Sequence, residues 1–475
     1  MLNTMEANNV FLNGAIVAGL VDLDGSFEKN YDKTFLKVVS DPFFVEESTL
    51  FIYSGKDVSC VEDAAAKGAT VICNKITASN VSGLDSVYFT KTEQPFKKII
   101  SYIRKSSSAK FCSVTGSVGK STVKEMLGHA LKNYGPSITN KGNRNGGNGI
   151  VEALGRISKK TEYVVLEVAS AAPGSILQRN KLVNPDVAII TSVGEAHLQN
   201  YESKNELLHE KFSLLDNLRA DGVGIISRKI IDEYPEALDL LKLKKVKYIV
   251  VGGEQDDIYF KDLVKHDASL EYCVVCYGHQ YKIKLNSIAS HDALNTLFVF
   301  AACHVLGVEM NKLPLVLSSF KGVGRRLERY EVKLADGREF AVVDDSFNSS
   351  PTAVLGAIEA VSHIKNYNKK IFVFGDMLEL SDEAESEHVK VAKVIKNNDF
   401  DILVTVGEIS KSMSICEDED FEVFNLADCD QAVDFIVERS SSNDLMLVKG
   451  SHATGLHNFV TKLKKCSSID FVKKS

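Results

Sequence analysis

The chain has 475 residues, too many for one ordinary hydrophobic core, and at about 150 residues per domain it predicts about three domains. Its formal net charge is −7, so it lacks the sequence-wide positive field that a nucleic-acid backbone requires. No run approaches the ~18 apolar residues of a membrane span, and the nine cysteines show no framework spacing. We therefore expect a cytoplasmic protein that binds neither nucleic acid nor membrane. We separately predict a monomer, although these bulk properties do not determine the oligomeric state.

The first predicted unit covers residues 1–107. Its clearest strand-to-helix step leads from LFIYSG into EDAAAKGATVICNK, and the Ser-Ser-Ser-Ala tract at 106–109 is typical of a linker. These patterns predict a small N-terminal α/β domain.

The second predicted unit covers residues 108–325. Apolar β-rich runs, among them KFCSV, YVVLEV and DVAIITSV, alternate with helical patterns such as STVKEMLGHALKNY. Such alternation predicts βαβ crossovers and a parallel sheet covered on both faces. The one CxxC, Cys273 to Cys276, lies in the hydrophobic run LEYCVVCY without a second pair at zinc spacing, so we interpret it as part of a strand.

The third predicted unit covers residues 326–475. Strand and helix patterns alternate again from EFAVVDDS through KKIFVFGDM and DILVTVGE to DLMLVKG. This series predicts a separate, smaller α/β domain.

The run SVTGSVGKST at 113–122 has the parts of a phosphate-binding loop. Gly116 and Gly119 let backbone N–H groups turn inward, Lys120 supplies a charge for the β and γ phosphates, and Ser121 or Thr122 offers a hydroxyl to Mg²⁺. It follows a strand-like run and precedes a helical one, which is the context that such a loop requires. The first glycine of the eight-residue pattern is replaced by valine.

This loop, as TGSVGKSTVKEML, resembles the nucleotide loop of the Mur ligases. Lys124-Glu125 is similar to the branch of that family that adds D-alanyl-D-alanine to UDP-N-acetylmuramoyl-tripeptide. Further segments resemble the family in the same order between residues 110 and 455. They are KGNRNGGNGI, LEVASAAPGSI, the long run from NPDVAIITSVGEAH to LLHEK, SHDALNTLFVF, VVDDSFNSSP, FGDMLELSDEAESEH and VKGSH.

The resemblance implies the three-domain α/β architecture of the Mur ligases. Residues 1–107 would bind the acceptor, 108–325 would form the P-loop ATPase domain with a parallel sheet, and 326–475 would form a Rossmann-like domain. The implied enzyme uses ATP to activate a carboxylate as an acyl phosphate and joins it to an amine, releasing ADP and phosphate.

The resemblance also implies a metal site that holds two Mg²⁺ ions near Lys120. Its ligands would be Ser121, Glu167, His197 and Lys211, the last as a carbamylated lysine. Independently of the resemblance, Glu167 and His197 each follow an apolar run that is predicted to be a strand. The carboxyl ends of such strands form the edge where open α/β sheets bind ligands.

The remaining roles come from the same resemblance. Asn295 would contact the base of ATP, Asp345 the ribose, and the Phe347 ring the base; Arg325 or Arg326 would reach the γ-phosphate. The predicted substrate-binding residues are Asn143, Asn145, Asn348, Lys449 and Ser451.

The N-terminal unit leaves the acceptor open. Its runs STLFIYSG and AAAKGATVICNK resemble the family's substrate domain, but Ser40-Asp41-Pro42 stands where the family has Asp-Ser-Arg for the uridine nucleotide and has no arginine. The alternatives are a relative that joins an amino acid or dipeptide to another carboxylate in a specialised pathway, and an ATP-binding scaffold without turnover. A plain P-loop kinase or GTPase would have no use for the DDSFN and KGSH segments.

Overall fold

The computed structural model describes residues 12–23, 25–74, 77, 81, 84–142, 144–194, 200–378, 380 and 383–465. In the N-terminal part the strands are β1 Leu12–Asn13, β2 Thr34–Phe35, β3 Lys37–Val39, β4 Thr49–Tyr53, β5 Thr70–Cys73 and β6 Val87–Phe89. The helices are α1 Gly14–Leu20, α2 Val58–Ala66 and α3 Pro95–Ser106. Strands β3 to β6 form a parallel sheet in sequence order, and β1 pairs antiparallel with β2.

The N-terminal sheet forms because β4 and β5 are short apolar runs that are buried almost throughout. Helix α2 covers the sheet through Val61 and Ala64, and the Asp57 side chain caps its first turn by accepting from the Ser59 N–H. The amphipathic helix α3 starts at a proline and buries its isoleucines. This helix connects the N-terminal part of the chain to the central part.

The strands of the central part are β7 Lys110–Thr115, β8 Ser137–Thr139, β9 Tyr163–Glu167, β10 Val187–Ile190, β11 Val223–Ser227, β12 Lys247–Val251, β13 Ile258–Lys265, β14 Leu270–Cys276 and β15 His279–Leu285. The helices are α4 Lys120–Lys132, α5 Gly147–Leu154, α6 Ser175–Val183, α7 Lys204–Phe212, α8 Arg228–Glu233, α9 Glu236–Lys244, α10 Ser290–Val305 and α11 Leu313–Ser318.

The central sheet has the order β15-β14-β13-β12-β11-β10-β7-β9-β8. The strands from β8 to β13 are parallel, and helices cover both faces. The side chains of β7 point alternately to the two covered faces of the sheet. Phe111 packs into the core on one face, and Cys112 and Val114 pack into the core on the other. The expected parallel sheet is confirmed.

One edge of the central sheet is an antiparallel meander of β13, β14 and β15. Tyr277 and Gly278 connect the last two strands and both have positive φ, 47° and 79°, as a tight two-residue hairpin turn requires. Cys273 and Cys276 lie within β14 as buried free thiols.

The strands of the C-terminal part are β16 Glu328–Lys333, β17 Glu339–Asp345, β18 Lys370–Gly375, β19 Ile402–Val406, β20 Glu422–Leu426 and β21 Leu445–Lys449. The helices are α12 Pro351–Ser362, α13 Ala384–Lys396, α14 Cys429–Arg439 and α15 Leu456–Lys465. The sheet order is β16-β17-β21-β18-β19-β20, parallel except for the antiparallel edge strand β16. Separate cores on its two faces confirm a Rossmann-like layer structure.

Candidate active site

The phosphate-binding loop joins the end of β7 to the start of α4. Gly116 has φ 150° and Gly119 has φ 86°. A Cβ at Gly116 would lie 2.0 Å from Thr191 Oγ1, and one at Gly119 would lie 2.9 Å from Asn295 Oδ1. Both positions therefore require glycine, and the loop leads directly into the N-terminus of α4, the end of a helix where anions bind.

Two side chains at the start of α4 face the loop. Lys120 Nζ donates to the Ser117 carbonyl at 2.9 Å, which folds the ammonium back over the loop. The buried Ser121 hydroxyl donates to Glu167 Oε2 at 2.7 Å. Thr122 is half-buried beside it, so the hydroxyl that meets the carboxylate belongs to Ser121.

Glu167 ends β9 and is held on every polar atom. Glu167 is 1% exposed, and its Oε1 accepts a hydrogen bond from Asn145 Nδ2 at 2.8 Å. Its backbone N–H donates to Asn140 Oδ1 and its carbonyl accepts from Asn140 Nδ2, each at 2.9 Å. Sequence reasoning missed Asn140, which directly follows β8 and precedes the loop that carries Asn145.

Lys211 also contacts the phosphate-binding loop. It is fully buried on α7, and its Nζ donates to the Gly116 carbonyl at 3.2 Å. Burial lowers the pKa of Lys211 well below its usual value and the charge of Lys120 lowers it further, while Glu210 and Glu167 act in the opposite direction. These surroundings therefore favour the neutral amine more than solvent does.

Glu210, the neighbour of Lys211, was also missed. Its carboxylate accepts from the N–H groups of Gly174 and Ile176, each at 2.7 Å, and from the Ser175 hydroxyl at 3.0 Å. Glu210 thus binds the N-terminus of α6 and fixes α7 against it. The sequence signal that could have identified Glu210 is its position directly before Lys211, the predicted metal ligand.

The donor set suits Mg²⁺. Ser121 and Glu167 supply hard oxygen atoms, and Mg²⁺ in nucleotide sites typically takes one or two such ligands beside phosphate oxygens and water. Across the described ranges no group of three or more His, Cys, Asp or Glu side chains is arranged to hold a metal ion. The predicted ligand His197 and the predicted substrate-binding Asn143 lie outside the described residues.

The doubled arginine occupies the segment between the central and C-terminal sheets. Arg326 Nη2 donates to the Ser121 hydroxyl at 3.1 Å, and its guanidinium lies 4.4 Å from the centre of the Phe347 ring. The guanidinium of Arg325 is 5.5 Å from the same ring, and its backbone N–H donates to Glu328. Of the two, Arg326 is therefore the residue that reaches the phosphate-binding loop.

Five of the other expected residues, on three separate segments, have internal partners. Asn295 Nδ2 donates to Asp292 Oδ1 at 2.9 Å, beside Gly119. Lys449 forms an ion pair with Asp345 and donates to the Asn348 carbonyl at 3.0 Å. The Ser451 hydroxyl accepts from the Leu378 N–H at 3.2 Å.

A cavity of about 870 Å³ opens beside Ser121 and Arg326. Its walls are the outer face of α4, the strand β8, the segment 319–326 and the Phe347 ring. The phosphate-binding loop thus adjoins a cleft between the central and C-terminal domains.

No helix within the described residues combines the length and apolarity needed to cross a bilayer.

Comparison with known families agrees with this geometry. Residues 114–303 match the Mur ligase middle domain, and residues 325–452 match the domain described as Mur ligase, glutamate ligase domain. The fold and site define an ATP-dependent ligase. The chain belongs to the Mur ligase family.

Curated relatives cover most of the chain. It is 28% identical over 353 residues to the UDP-N-acetylmuramoyl-tripeptide–D-alanyl-D-alanine ligase of Bacillus subtilis, covering 74% of this chain and 75% of that protein. It is 23% identical over 401 residues to the Escherichia coli ligase of the same name, covering 83% of this chain and 86% of that protein.

Solved structures share the fold. MurF ligase from Thermotoga maritima in complex with ADP aligns with a TM-score of 0.73 at 23% identity, covering 90% of this chain and 97% of that one. MurF from Acinetobacter baumannii aligns with a TM-score of 0.75 at 22% identity, covering 90% and 93%.

Proposed function

We propose that this enzyme adds D-alanyl-D-alanine to UDP-N-acetylmuramoyl-tripeptide with ATP, a step of peptidoglycan precursor synthesis. The names of the curated relatives support the substrates. The observation that carries the chemistry is the buried carboxylate of Glu167, fixed by Ser121 beside a phosphate-binding loop. Because the reaction consumes ATP, we also propose a cytoplasmic location; the monomeric state stays a prediction.

We assign the three parts of the chain to three tasks. Residues 1–107 would hold the acceptor, 108–325 would hold ATP, and 326–475 would close over the nucleotide and admit the amine. The cleft between the last two parts, with Arg326 on its wall, supports this assignment. Closure would exclude water, which is needed because an acyl phosphate hydrolyses readily.

In the proposed reaction the loop N–H groups, Lys120 and Arg326 bind the β and γ phosphates of ATP. Ser121 and Glu167 would hold one Mg²⁺ and Lys211 a second, and the metal would neutralise charge on the phosphates. An oxygen of the acceptor carboxylate then bonds to the γ-phosphorus as the bond to ADP breaks. The amine nitrogen attacks the resulting acyl phosphate carbonyl, phosphate leaves, and the amine loses a proton to solvent.

We further propose that Lys211 is carbamylated. A neutral, buried amine attacks the carbon of CO₂ and releases one proton, which converts the side chain into an oxygen donor. Complete burial, with Nζ donating to the Gly116 carbonyl, supports this role over that of a solvated cation.

The test is ADP release with a panel of acceptors and amines. We expect stimulation only when UDP-N-acetylmuramoyl-tripeptide and D-alanyl-D-alanine are both present with Mg²⁺. The same tripeptide acceptor without its UDP moiety serves as the matched comparison, because it isolates uridine recognition. Turnover with another carboxylate alone, or nucleotide binding without any turnover, would overturn the proposed substrates or the proposed catalysis, respectively.

A further inference from the structure

The loop after β8 connects the Glu167 carboxylate to the N-terminal domain. Two residues in this loop are adjacent in sequence and point to different partners. Asn145 donates to Glu167 Oε1 at 2.8 Å, and the Arg144 guanidinium forms an ion pair with Asp41. The two contacts are therefore made by neighbouring residues of one backbone segment.

The stem of this loop is fixed from inside the central domain. Lys124 is fully buried, and its Nζ donates to the carbonyls of Asn140 at 2.8 Å and Gly142 at 3.4 Å. The Asn140 side chain also accepts the Glu167 N–H and donates to the Arg144 carbonyl. The same asparagine side chain thus contacts both the backbone of Arg144 and the backbone of Glu167.

The other half of the contact belongs to the N-terminal domain. Asp41 follows β3, and its Oδ1 accepts from the Phe43 N–H at 2.9 Å, which fixes the turn. The ring of Phe44 has the Arg144 guanidinium and Lys141 Nζ each 4.9 Å from its centre. Partial burial raises the pKa of Asp41, but its bonds to Arg144 and Phe43 outweigh this and hold that pKa below its usual value.

We propose that the Asp41–Arg144 ion pair is a positioning contact through which the N-terminal domain sets the place of Asn145 and so of the Glu167 carboxylate. In this way an arginine of the central domain lies against the Ser40-Asp41-Pro42 segment. The proposal rests on the proposed function, because it takes Glu167 to hold the magnesium nucleotide. Binding of an acceptor near Asp41 then alters magnesium-nucleotide affinity.

The test compares Asp41→Asn, Arg144→Gln and the double variant in the full chain without acceptor. Titration calorimetry measures the affinity for ADP with and without Mg²⁺. Each single variant should weaken Mg-ADP binding about tenfold, as loss of a contact behind a metal ligand typically does. Metal-free ADP should bind unchanged, and the double variant should be no weaker than either single one. Asp85→Asn, which removes an exposed ion pair with Lys29 in the same domain, should leave both affinities unchanged.

A second readout does not depend on nucleotide. The Ala169 N–H donates to the Asn145 carbonyl at 3.0 Å, so its hydrogen exchange reports the loop position. Exchange at Ala169 should be faster in both single variants and return to the wild-type rate in the charge-reversed pair Asp41→Arg with Arg144→Asp. Unchanged exchange and Mg-ADP affinity in the single variants, or strictly additive losses in the double variant, would overturn the proposal. Failure of the proposed function would appear separately, as wild-type enzyme that releases no ADP with any acceptor.

Discussion

Lys449 and Asp345 form a buried ion pair across the parallel strands β21 and β17, at the carboxyl edge of the C-terminal sheet. They are direct partners in the strand register, and the side chain of Lys449 is 2% exposed. Its ammonium also holds the Asn348 carbonyl, so it shapes the loop that carries Phe347. The aspartate predicted to bind the ribose is thus oriented by Lys449, which the sequence analysis predicts to be a substrate-binding residue.

Replacing Lys449 with methionine should destabilise the enzyme. The change removes the partner of the largely buried Asp345 carboxylate and leaves its charge uncompensated. Breaking such a buried ion pair lowers the free energy of unfolding by about 3 kcal/mol. Urea denaturation measures this, and the KM for ATP should rise as Asp345 loses its orientation. Lys333→Met breaks an exposed pair with Glu339 in the same sheet and should leave the midpoint unchanged. Equal midpoints for the two variants would contradict the structural role.

Glu167→Gln should abolish most activity without unfolding the protein. Glutamine keeps the shape and accepts the Ser121 hydroxyl, but it removes the charge that would hold Mg²⁺. We expect kcat for ADP release to fall by about 100-fold or more, with an unchanged thermal midpoint. Glu162→Gln, at an exposed position directly before the first residue of β9, is the matched control. A variant with normal kcat would remove Glu167 from the site.

Lys211→Met should separate stability from activity. Among the described residues the buried amine donates to one carbonyl, that of Gly116. A variant with an apolar side chain of similar length should therefore unfold at the same or a higher temperature, while ADP release is lost. If Lys211 is carbamylated, wild-type activity should fall in CO₂-depleted buffer and return with bicarbonate. Lys204→Met, exposed on the same helix, should behave as wild type in both assays. Indifference of the wild type to bicarbonate would argue against carbamylation.

His388 should make the stability of the C-terminal domain depend on pH. It is fully buried, its Nε2 accepts from the Met377 N–H at 3.0 Å, and Nδ1 lies 2.6 Å from the Ala384 carbonyl. Burial lowers the pKa of His388, so the folded protein keeps the ring neutral. The unfolded chain takes up a proton below about pH 6.5, and stability should therefore be full above that pH and fall as the pH decreases.

Thermal midpoints between pH 7.5 and 5.5 measure the effect of His388. His388→Gln should lower the midpoint at neutral pH but flatten its decline toward acid, because the titrating group is gone. His279→Gln, at an exposed position in β15, should keep the wild-type slope. A parallel decline in all three proteins would assign the acid sensitivity to other groups.

The fold and the phosphate-binding loop were predictable because both depend on local patterns. Apolar runs of strand length predicted β7, β9 and β10, and glycines at two fixed positions predicted the loop between β7 and α4. The antiparallel edge of the central sheet was not predicted, because β13 to β15 follow one another without intervening helices and their pairing depends on the short turn at Tyr277 and Gly278.

The side-chain partners were not predictable from local pattern. Asn140 meets Glu167, 27 residues away, and Arg144 meets Asp41, 103 residues away, only because the sheets bring them together. The choice between Arg325 and Arg326 likewise depends on the path of the backbone, which turns one guanidinium to Ser121. The roles of His197 and Asn143 remain predictions.

The connection from the central to the C-terminal domain contains Arg325 and Leu327, whose φ angles are 58° and 53°. Each non-glycine residue in the left-handed region costs about 1–2 kcal/mol. A rotation of the last domain that returned one of them to the right-handed region would release that amount. A release of this size changes the ratio of two domain orientations by about fivefold to thirtyfold. In the proposed closure of the last domain over the nucleotide, the backbone at these two residues would therefore shift the balance between the open and closed orientations.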